Sequence, residues 1–445
     1  MWYKIGFFDL DGTLLDVKSG KNAQVSAQNL HAVQKLAKEC SIVISTGRKL
    51  TAEVVRIGEK ISAKFYICLN GAEIFDKNLN LIKTWEIKHE IFVEIINLAK
   101  KWKFAIALNS ETAYSGNFFK FLFQKFSKYK LLCYKDLEIP KKLNKISIFS
   151  LFPQKVKKFK EFLDKKFAHQ LQICIVNKGF TLEITDQNAS KGVGAFFVAD
   201  LEKISLDRAF HIGDSDNDVS VKGIVKTLIA MKNSSKNLKK TAHFIGFSKK
   251  FGVAKALENF IFKPKTAAVV GKYAVGKTTF LKKVETFGYS VLYTDDFFAN
   301  CYQNNGDCFL KIKKIRPDFV NQNHINKNKI RDFMVSSQEN RDLIEMEIYP
   351  ILEKHLNENY YHFVEIPNLW TKNANFLKFF SKIIWIVTDE KQRVLNIQQK
   401  KVEKSISAKN SLLNEIKIEF YDVKISDKKW KKARFFPKFF RKVFK

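Results

Sequence analysis

Apolar runs that stop abruptly at polar residues recur along the first part of the chain. The runs Ile5–Phe8 and Ala209–Gly213 each end at an aspartate, and Ser41–Ser45 ends at a threonine and a glycine. Short continuous apolar runs are typical of strands that are buried on both faces of a parallel sheet. Between them, segments such as residues 27–39 carry apolar residues at helical spacing. The pattern predicts an α/β fold with a doubly wound, Rossmann-like parallel sheet.

The first predicted strand ends in two carboxylates, Asp9 and Asp11, which are one residue apart and are followed by Gly12. Side chains at the carboxyl end of a parallel strand lie at the edge where open α/β sheets bind ligands. Two adjacent carboxylates repel each other unless a cation or a shared proton intervenes, so the pair predicts Mg²⁺. A surface turn that closes an ordinary strand is the alternative interpretation, and a single Asp-Gly would suit it better.

The sequence Asp9-Leu10-Asp11-Gly12-Thr13 resembles the first motif of the haloacid dehalogenase-type phosphatases. The resemblance implies that Asp9 is the nucleophile that accepts a phosphoryl group and that Asp11 is the general acid and base. It also implies a Mg²⁺-dependent hydrolase that acts on small phosphorylated metabolites.

Two later segments resemble the second and third motifs of that family. The strand that begins at Ser41 supplies a hydroxyl at its end, with Thr46 as the preferred candidate and Ser45 as the alternative. Lys191 lies where a helix is expected to begin, and its ammonium would offset the charge of the phosphate and of Asp9. We expect both side chains to take part in catalysis.

A fourth motif follows the strand Ala209–Gly213. Asp214 is the expected direct Mg²⁺ ligand, and Asp218, four residues on, is expected to bind directly or through water. Mg²⁺ keeps several waters and takes few protein carboxylates. Calcium is the alternative ion, but the twelve-residue loop with a terminal Glu is absent. The predicted metal-binding residues of this half are Asp9, Asp11, Asp214 and Asp218.

Residues 83–185 differ from the segments on either side. Short strands alternate there with amphipathic helices, and no acidic strand end occurs. We expect an inserted α+β cap within a core formed by residues 1–82 and 186–262. The turn at Asn70-Gly71-Ala72 resembles one that recurs in the Cof-like subgroup of these phosphatases. The resemblance implies that the cap closes over the active site and selects the substrate.

A different motif follows a short linker at residues 263–265. A strand, the loop Gly271–Thr278 and a helix fit Gly-x₄-Gly-Lys-Thr, the P-loop. In such a loop, backbone N–H groups surround nucleotide phosphates, Lys277 reaches the β and γ phosphates, and Thr278 places a hydroxyl on Mg²⁺. The predicted ATP-binding residues are Gly271, Ala274, Val275, Gly276, Lys277, Thr278 and Thr279. We expect residues 263–427 to form a second doubly wound parallel-sheet domain.

The residues after this loop resemble dephospho-CoA kinase. Residues 287–295 match, without a gap, the family's stretch from the first helix to a strand that ends in a catalytic Asp. The resemblance therefore implies Asp295, with Asp296 as the alternative, as the candidate general base for phosphorylation of the 3′-hydroxyl of dephospho-CoA. Tyr349-Pro350 takes the place of the family's His-Pro, which follows a long helix.

The predicted lid departs from that family. In that family, two arginines of the lid clamp ATP phosphates as forks. In this sequence Arg393 is out of register with them. Lys400, Lys401 or Lys404 would supply charge without fork geometry. The alternative to a kinase is therefore a nucleotide-binding lobe that acts as a sensor.

Composition changes this picture little. The chain has 78 Lys and Arg against 45 Asp and Glu, a formal charge of +33. The surplus lysines are spread along the chain, so we expect no specific nucleic-acid or membrane partner. The most basic segment, residues 428–445, also carries five phenylalanines. It could bind membranes or RNA, but a frayed or docked terminus is the preferred interpretation, because Pro437 should interrupt a helix.

The remaining composition favours a cytoplasmic enzyme. Six cysteines are scattered without paired metal-type spacing, so neither a disulfide framework nor a zinc site is predicted. The first strand begins almost at once, without a signal peptide, and no apolar stretch of membrane-spanning length occurs.

Overall fold

The structure is a computed structural model of the 445-residue chain, and it describes residues 2–17, 23–109, 112–116, 130–399, 421–430, 432 and 434–444. Contacts divide the chain into two compact units at the boundary between Phe262 and Lys263. Each unit has its own sheet and its own hydrophobic core. None of the described helices combines the length and the apolar character needed to cross a bilayer.

The first unit alternates strands with helices. Its described strands are β1 (Ile5–Phe8), β2 (Ser41–Ser45), β3 (Ala63–Cys68), β4 (Glu73–Asp76), β5 (Leu81–Thr84), β6 (Ala105–Leu108), β7 (Thr112–Ser115), β8 (Lys130–Cys133), β9 (Lys145–Phe149), β10 (Leu171–Val176), β11 (Thr181–Asp186), β12 (Ala209–Gly213), β13 (Thr227–Ala230) and β14 (Phe244–Ile245). Its described α-helices span Ala27–Ala37, Ala52–Lys60, His89–Lys101, Pro153–Lys166, Lys191–Leu201, Lys236–Thr241 and Gly252–Ala256.

The core sheet has the strand order β14-β13-β12-β1-β2-β3-β4-β5. Neighbours from β14 to β3 run parallel, and β4 and β5 add an antiparallel hairpin. Ile5, Phe7 and Phe8 of β1 are fully buried, as expected for a central parallel strand covered on both faces. The predicted parallel α/β sheet is thus confirmed. Strand β5 pairs with β4 and so extends the core sheet to Thr84, past the expected boundary at residue 82.

An α+β insertion follows β5. Its sheet has the order β10-β11-β9-β6-β7-β8, in which only the β7-β8 pair is parallel among the described strands. The helices His89–Lys101 and Pro153–Lys166 bury an apolar cluster against this sheet, where the rings of Phe104 and Phe159 lie 4.9 Å apart. We refer to this insertion as the cap. Its last strand continues to Asp186 before the chain re-enters the core.

The second unit is also built from strands and helices. Its described strands are β15 (Ala267–Val270), β16 (Val291–Tyr293), β17 (Val320–Asn321), β18 (His324–Ile325), β19 (Phe363–Glu365), β20 (Trp370–Thr371), β21 (Ala374–Asn375), β22 (Lys382–Val387) and β23 (Val423–Ser426). Its described α-helices span Lys277–Glu285, Thr294–Cys301, Asp307–Ile315, Lys327–Ser336, Gln338–Glu358, Glu390–Gln399, Asp427–Trp430 and Phe435–Val443.

The main sheet of this unit has the order β16-β19-β15-β22-β23, with all neighbours parallel. Residues of β15 are fully buried, and the glycine-rich loop leaves its carboxyl end. Tyr349-Pro350 lies inside the helix Gln338–Glu358 and not after it. Burial of Ile348 and Leu352 on either side of Pro350 stabilises the helix across the proline, despite its missing N–H.

The basic aromatic tail, residues 428–445, is docked in the second unit over its described part. The helix Phe435–Val443 buries three of its phenylalanines, and the rings of Phe440 and Tyr289 lie 4.2 Å apart. Pro437 does not interrupt this helix, contrary to expectation. It lies in the first turn, where a backbone N–H has no intrahelical partner in any case. The aromatic face of the tail therefore belongs to the core of this unit.

We expect Phe440→Ala to destabilise the second unit by about 3 kcal/mol, because it removes a ring that is only 8% exposed from an aromatic cluster. Denaturant unfolding followed by tryptophan fluorescence measures the change. Lys438→Ala, on the exposed side of the same helix, is the control and should alter the free energy of unfolding by no more than about 0.5 kcal/mol. Equal effects of the two substitutions would contradict the docking of the tail.

Candidate active site

Three adjacent parallel strands bring the predicted residues of the first unit to one edge. In the register of the sheet, Phe8 of β1 pairs with Ile44 of β2 and with Ile212 of β12. The residues that follow these strands therefore emerge together. They include Asp9 after β1 and Asp214 after β12.

Lys191 is the cation of this site. It is the first residue of the helix Lys191–Leu201, whose N-terminus is capped by the Ser190 hydroxyl. Its fully buried ammonium donates to Oδ1 of Asp9 and Oδ1 of Asp218, each at 2.7 Å. Burial opposes the charge, but the two carboxylates outweigh burial and raise the pKa of Lys191 above its ordinary value. Lys191 is therefore protonated at neutral pH.

Asp218 has both oxygens occupied by donors. Besides Lys191, His211 Nε2 lies 2.7 Å from Oδ1, and the backbone N–H groups of Asp214 and Ser215 donate to Oδ2 at 3.0 and 2.9 Å. Burial would raise the pKa of Asp218, but Lys191 and His211 hold it well below its ordinary value. A carboxylate has about four lone-pair sites. Their occupation favours the water-mediated role over direct ligation.

Asp9 and Asp214 are less well compensated. Burial and the charges of nearby aspartates raise the pKa of Asp9 well above its ordinary value, although Lys191 opposes this. Burial, followed by the charge of Asp218, raises the pKa of Asp214 to about 6. Oδ2 of Asp9 is buried without a hydrogen-bond partner among the described residues.

This arrangement fits a divalent cation. One oxygen from each of Asp9, Asp214 and Asp218 lies within 4.8 Å of the others, and hard carboxylate oxygens are the ligands that Mg²⁺ prefers. Gly12 has φ +80°, and a Cβ there would lie 2.0 Å from Oδ2 of Asp214. Only glycine therefore leaves room for the Asp214 carboxylate.

The two candidate hydroxyls differ in their contacts. The Thr46 hydroxyl accepts a hydrogen bond from the backbone N–H of Arg48 at 3.2 Å, which leaves its proton for another acceptor. The Ser45 hydroxyl is buried and has no partner in the described part of the chain. The contact to Arg48 orients Thr46 at the strand end, as the preferred assignment requires.

Asp11 lies apart from the carboxylate cluster. Arg48 Nε and Nη2 donate to its two oxygens at 2.7 Å each, and Nη1 donates to Glu53 at 3.0 Å. Bidentate guanidinium–carboxylate pairs fix geometry as well as charge. Arg48 was not predicted as a functional residue, although its position directly after Ser-Thr-Gly is a usable sequence signal.

The second unit contains a separate cavity of about 420 Å³ at the glycine-rich loop. Most of the predicted loop residues and the predicted base line it, together with a few residues from other segments: Tyr273, Ala274, Gly276, Lys277, Thr278, Thr279, Lys282, Thr294, Asp295, Glu365, Pro367 and Asn396. Val275 is buried, and the Gly271 carbonyl accepts a hydrogen bond from Lys277 at 2.9 Å.

Glu365 is one of six lining residues of this cavity that were not predicted from the sequence. It ends β19, next to β15, and its two carboxylate oxygens accept from the Thr278 hydroxyl at 3.3 and 3.1 Å. Its Oε1 lies 3.8 Å from Lys277 Nζ. Its sequence signal is a carboxylate at the end of a short apolar run, whereas its place beside the loop is known only from the pairing of β15 and β19.

Of the predicted lid, Arg393 lies in the helix Glu390–Gln399 and donates to the Tyr273 carbonyl at 3.1 Å. It therefore contacts the glycine-rich loop through the main chain. Lys400, Lys401 and Lys404 lie outside the described residues.

The first unit thus combines a parallel sheet, an inserted cap and carboxylates that meet at the strand ends. The sequence model of the haloacid dehalogenase-like hydrolases matches residues 7–257. The chain therefore belongs to this family, and its first unit is a haloacid dehalogenase-like phosphatase.

The first unit is also similar to proteins that are described as phosphatases. A predicted phosphatase of Mycoplasma pneumoniae is 28% identical over 258 residues, 54% of this chain and 90% of that protein. The 5-amino-6-(5-phospho-D-ribitylamino)uracil phosphatase of Bacillus subtilis is 25% identical over 275 residues, 58% of this chain and 96% of that protein. The solved structure of a HAD subclass IIB sugar phosphatase shares the fold, with a TM-score of 0.50 and 20% identity over 58% of this chain and 98% of that one.

The second unit has a more limited likeness. Dephospho-CoA kinase of Mycoplasma genitalium is 25% identical over 147 residues, which are 31% of this chain and 74% of that protein.

We expect the affinity of the first unit for Mg²⁺ to fall as the pH is lowered through about 6, because a proton then competes for Asp214. Since the pKa of this carboxyl is raised, competition begins well above the ordinary range of aspartate. At a pH one unit below that pKa, competition at this single group weakens binding ~10-fold. Calorimetric titration with Mg²⁺ at pH 7.5 and pH 5.0 measures the difference. Equal affinity at the two pH values would rule out Asp214 as a ligand.

Proposed function

We propose that the first unit hydrolyses phosphate monoesters of small metabolites through a covalent aspartyl-phosphate on Asp9. The unequal environment of the two Asp9 oxygens carries this proposal. Oδ1 is held by Lys191 at 2.7 Å, whereas Oδ2 is buried without a described partner. One oxygen is thus fixed in direction, and the other is desolvated and available for attack.

In the first step, Oδ2 of Asp9 attacks the phosphorus, the bond to the leaving group breaks, and Asp11 donates its proton to the leaving oxygen. In the second step, water attacks the phosphorus, Asp11 takes a proton from that water, and the bond to Asp9 breaks. Inorganic phosphate leaves, and Asp9 is restored. Both Asp11 oxygens accept from Arg48 in the structure, so Asp11 would leave this pair to exchange a proton with the leaving oxygen and with the water.

Mg²⁺ would be held by Asp9, Asp214 and the Asp11 main-chain carbonyl, with Asp218 in contact through water, and when bound it would supply positive charge that offsets the carboxylates. Lys191 uses two of its three donors on Asp9 and Asp218, which leaves one for a phosphoryl oxygen. The free proton of Thr46 would serve a second phosphoryl oxygen. The phosphoryl group would then be bound by the Lys191 ammonium and the Thr46 hydroxyl, whose directions are already fixed.

We expect Asp9→Asn to lower phosphatase turnover by ~10³-fold or more, because an amide is a poor nucleophile. Release of p-nitrophenol from p-nitrophenyl phosphate measures turnover, and circular dichroism checks the fold. Asp164→Asn, which alters an exposed ion pair of the cap, is the matched control and should retain full activity. Wild-type activity in Asp9→Asn would remove Asp9 as the nucleophile.

We further propose that the second unit binds ATP at its cavity. Lys277 and Thr278 begin a nine-residue helix that faces this cavity, and helix N-termini with exposed N–H groups suit phosphates. Thr278 and Glu365 would hold the Mg²⁺ that accompanies the nucleotide. The likeness to the Mycoplasma genitalium enzyme supports dephospho-CoA as the acceptor, with Asp295 as the base.

A nucleotide sensor without turnover is the second candidate for this unit. The helix Glu390–Gln399 contributes Asn396 to the cavity, and its Arg393 is occupied by the Tyr273 carbonyl and Glu390. The guanidinium of this arginine is thus held by groups of the chain itself. Loss of an arginine that stabilises the transition state can cost ~10³-fold in rate. Binding without chemistry is therefore the competing outcome.

We expect calorimetry on the full chain to detect ATP binding that Lys277→Ala abolishes. Asp295→Asn should retain binding, because an amide of nearly the same size keeps the lining of the cavity, but should lose any release of ADP that depends on dephospho-CoA. Lys272→Ala, a change in the same loop outside the cavity lining, is the control. Failure of the wild-type chain to bind ATP would contradict both the kinase and the sensor.

A further inference from the structure

Two charged side chains of the cap form an ion pair at the boundary with the core. Lys145 on β9 and Glu183 on β11 are diagonal neighbours, since Lys145 pairs with Thr185 and Glu183 with Ser147. Their side chains share one face of the cap sheet and meet with Nζ and Oε1 2.5 Å apart. The Lys145 side chain is 1% exposed and that of Glu183 is 14% exposed. The pair is therefore almost completely shielded from water.

Both members of the pair also bind the core. Lys145 Nζ donates to the Gly47 carbonyl at 2.8 Å, and Glu183 Oε2 accepts from the Asn70 side-chain amide at 2.6 Å. The four groups are tightly packed, because a Cβ added to Gly47 would lie 2.9 Å from Oδ1 of Asn70 and 3.4 Å from Lys145 Nζ. These contacts join the cap to the core and exist only while the cap is seated on it.

Asn70 connects these cap contacts to the active site through hydrogen bonds. Its backbone N–H donates to the Thr46 carbonyl at 3.0 Å, and its side-chain oxygen accepts from the Asn217 amide at 3.0 Å. Asn217 lies in the loop between Asp214 and Asp218. Asn70 also adopts the left-handed conformation, with φ 61°, so its side chain is aimed by an unusual backbone. Asn70 thus links the Lys145–Glu183 pair to the segment that carries Thr46 and to the loop from Asp214 to Asp218.

A buried ammonium is stable only when a carboxylate and other acceptors surround it. Lys145 meets this requirement with one acceptor from the cap and one from the core. Glu183 is likewise shared between a cap donor and a core donor. Seating of the cap therefore restrains the Gly47 carbonyl and the Asn70 side chain in the geometry seen here.

We propose that Lys145 and Glu183 are positioning residues, which couple seating of the cap to the alignment of Thr46 and of the loop from Asp214 to Asp218. They act through Gly47 and Asn70. The inference rests on the roles proposed above for Thr46 and the carboxylates. Full turnover therefore requires the cap to be in contact with the core, even for a substrate that is too small to contact the cap.

The test compares Lys145→Met, Glu183→Gln and the double variant with the wild-type full chain, with p-nitrophenyl phosphate as substrate. Each single variant should lower kcat by ~10-fold to 100-fold, the scale expected of a small misalignment. The Mg²⁺ concentration for half-maximal activity should rise by about threefold or less, because the loop that carries Asp214 loses one restraint while its carboxylates are unchanged. Lys166→Met is the control. It breaks another ion pair of the cap, in which Lys166 Nζ lies 2.8 Å from Glu94, and it should leave kcat unchanged.

The double variant separates positioning from charge balance. It leaves no unpaired charge buried, so its melting temperature should return toward that of the wild type while kcat stays low. Wild-type kcat in the double variant or in both single variants would overturn the proposal. A loss of kcat that follows the melting temperature from variant to variant would also overturn it, because that pattern is a general loss of structure. Failure of the proposed chemistry would show separately, as retained turnover in Asp9→Asn.

Discussion

The first unit depends on one buried ammonium between two carboxylates. Lys191 contacts Asp9 and Asp218 at 2.7 Å each, and it thereby joins the end of β1 to the loop after β12. Without that cation, three carboxylates would meet at a site shielded from water, which is among the most unfavourable arrangements in a protein. The helix that begins at Lys191 and the strands that carry the acids must therefore be correctly placed for the site to exist at all. Catalytic chemistry and folding of the core share this constraint.

Much of this core could be predicted from the sequence because its signals are local. An apolar run that stops at a carboxylate identifies both a strand and the edge at which it ends, as at Asp9 and Asp214. Contacts between distant segments leave no such trace. Asn70 and Glu183 are 113 residues apart in the chain, and nothing in either segment specifies the other. The Arg48–Asp11 pair is similar, since both motifs were recognised while their side-chain contact was not.

The second unit shows the same division. The strand, loop and helix around Lys277 follow from residue spacing, and the structure brings Asp295 to the same cavity. Glu365 was overlooked because a carboxylate in β19 gains significance only once β19 is known to lie beside β15. The rule that proline interrupts a helix failed at Pro350 and at Pro437, for two different reasons. At the first, burial of neighbouring side chains outweighs the proline's penalty, and at the second its position in the first turn removes most of that penalty.

The docked aromatic helix near residue 440 affects how the chain folds during synthesis. Its rings cover Phe280, Phe287 and Tyr289, which leave the ribosome about 150 residues earlier, a lag of ~10 s or more at common elongation rates. Until then an apolar surface of the second unit lacks its partner, whereas the phosphatase unit is already fully synthesised. Nascent chains therefore pass through a stage with one complete core and one open core, and the open core is where a chaperone would bind or aggregation would begin.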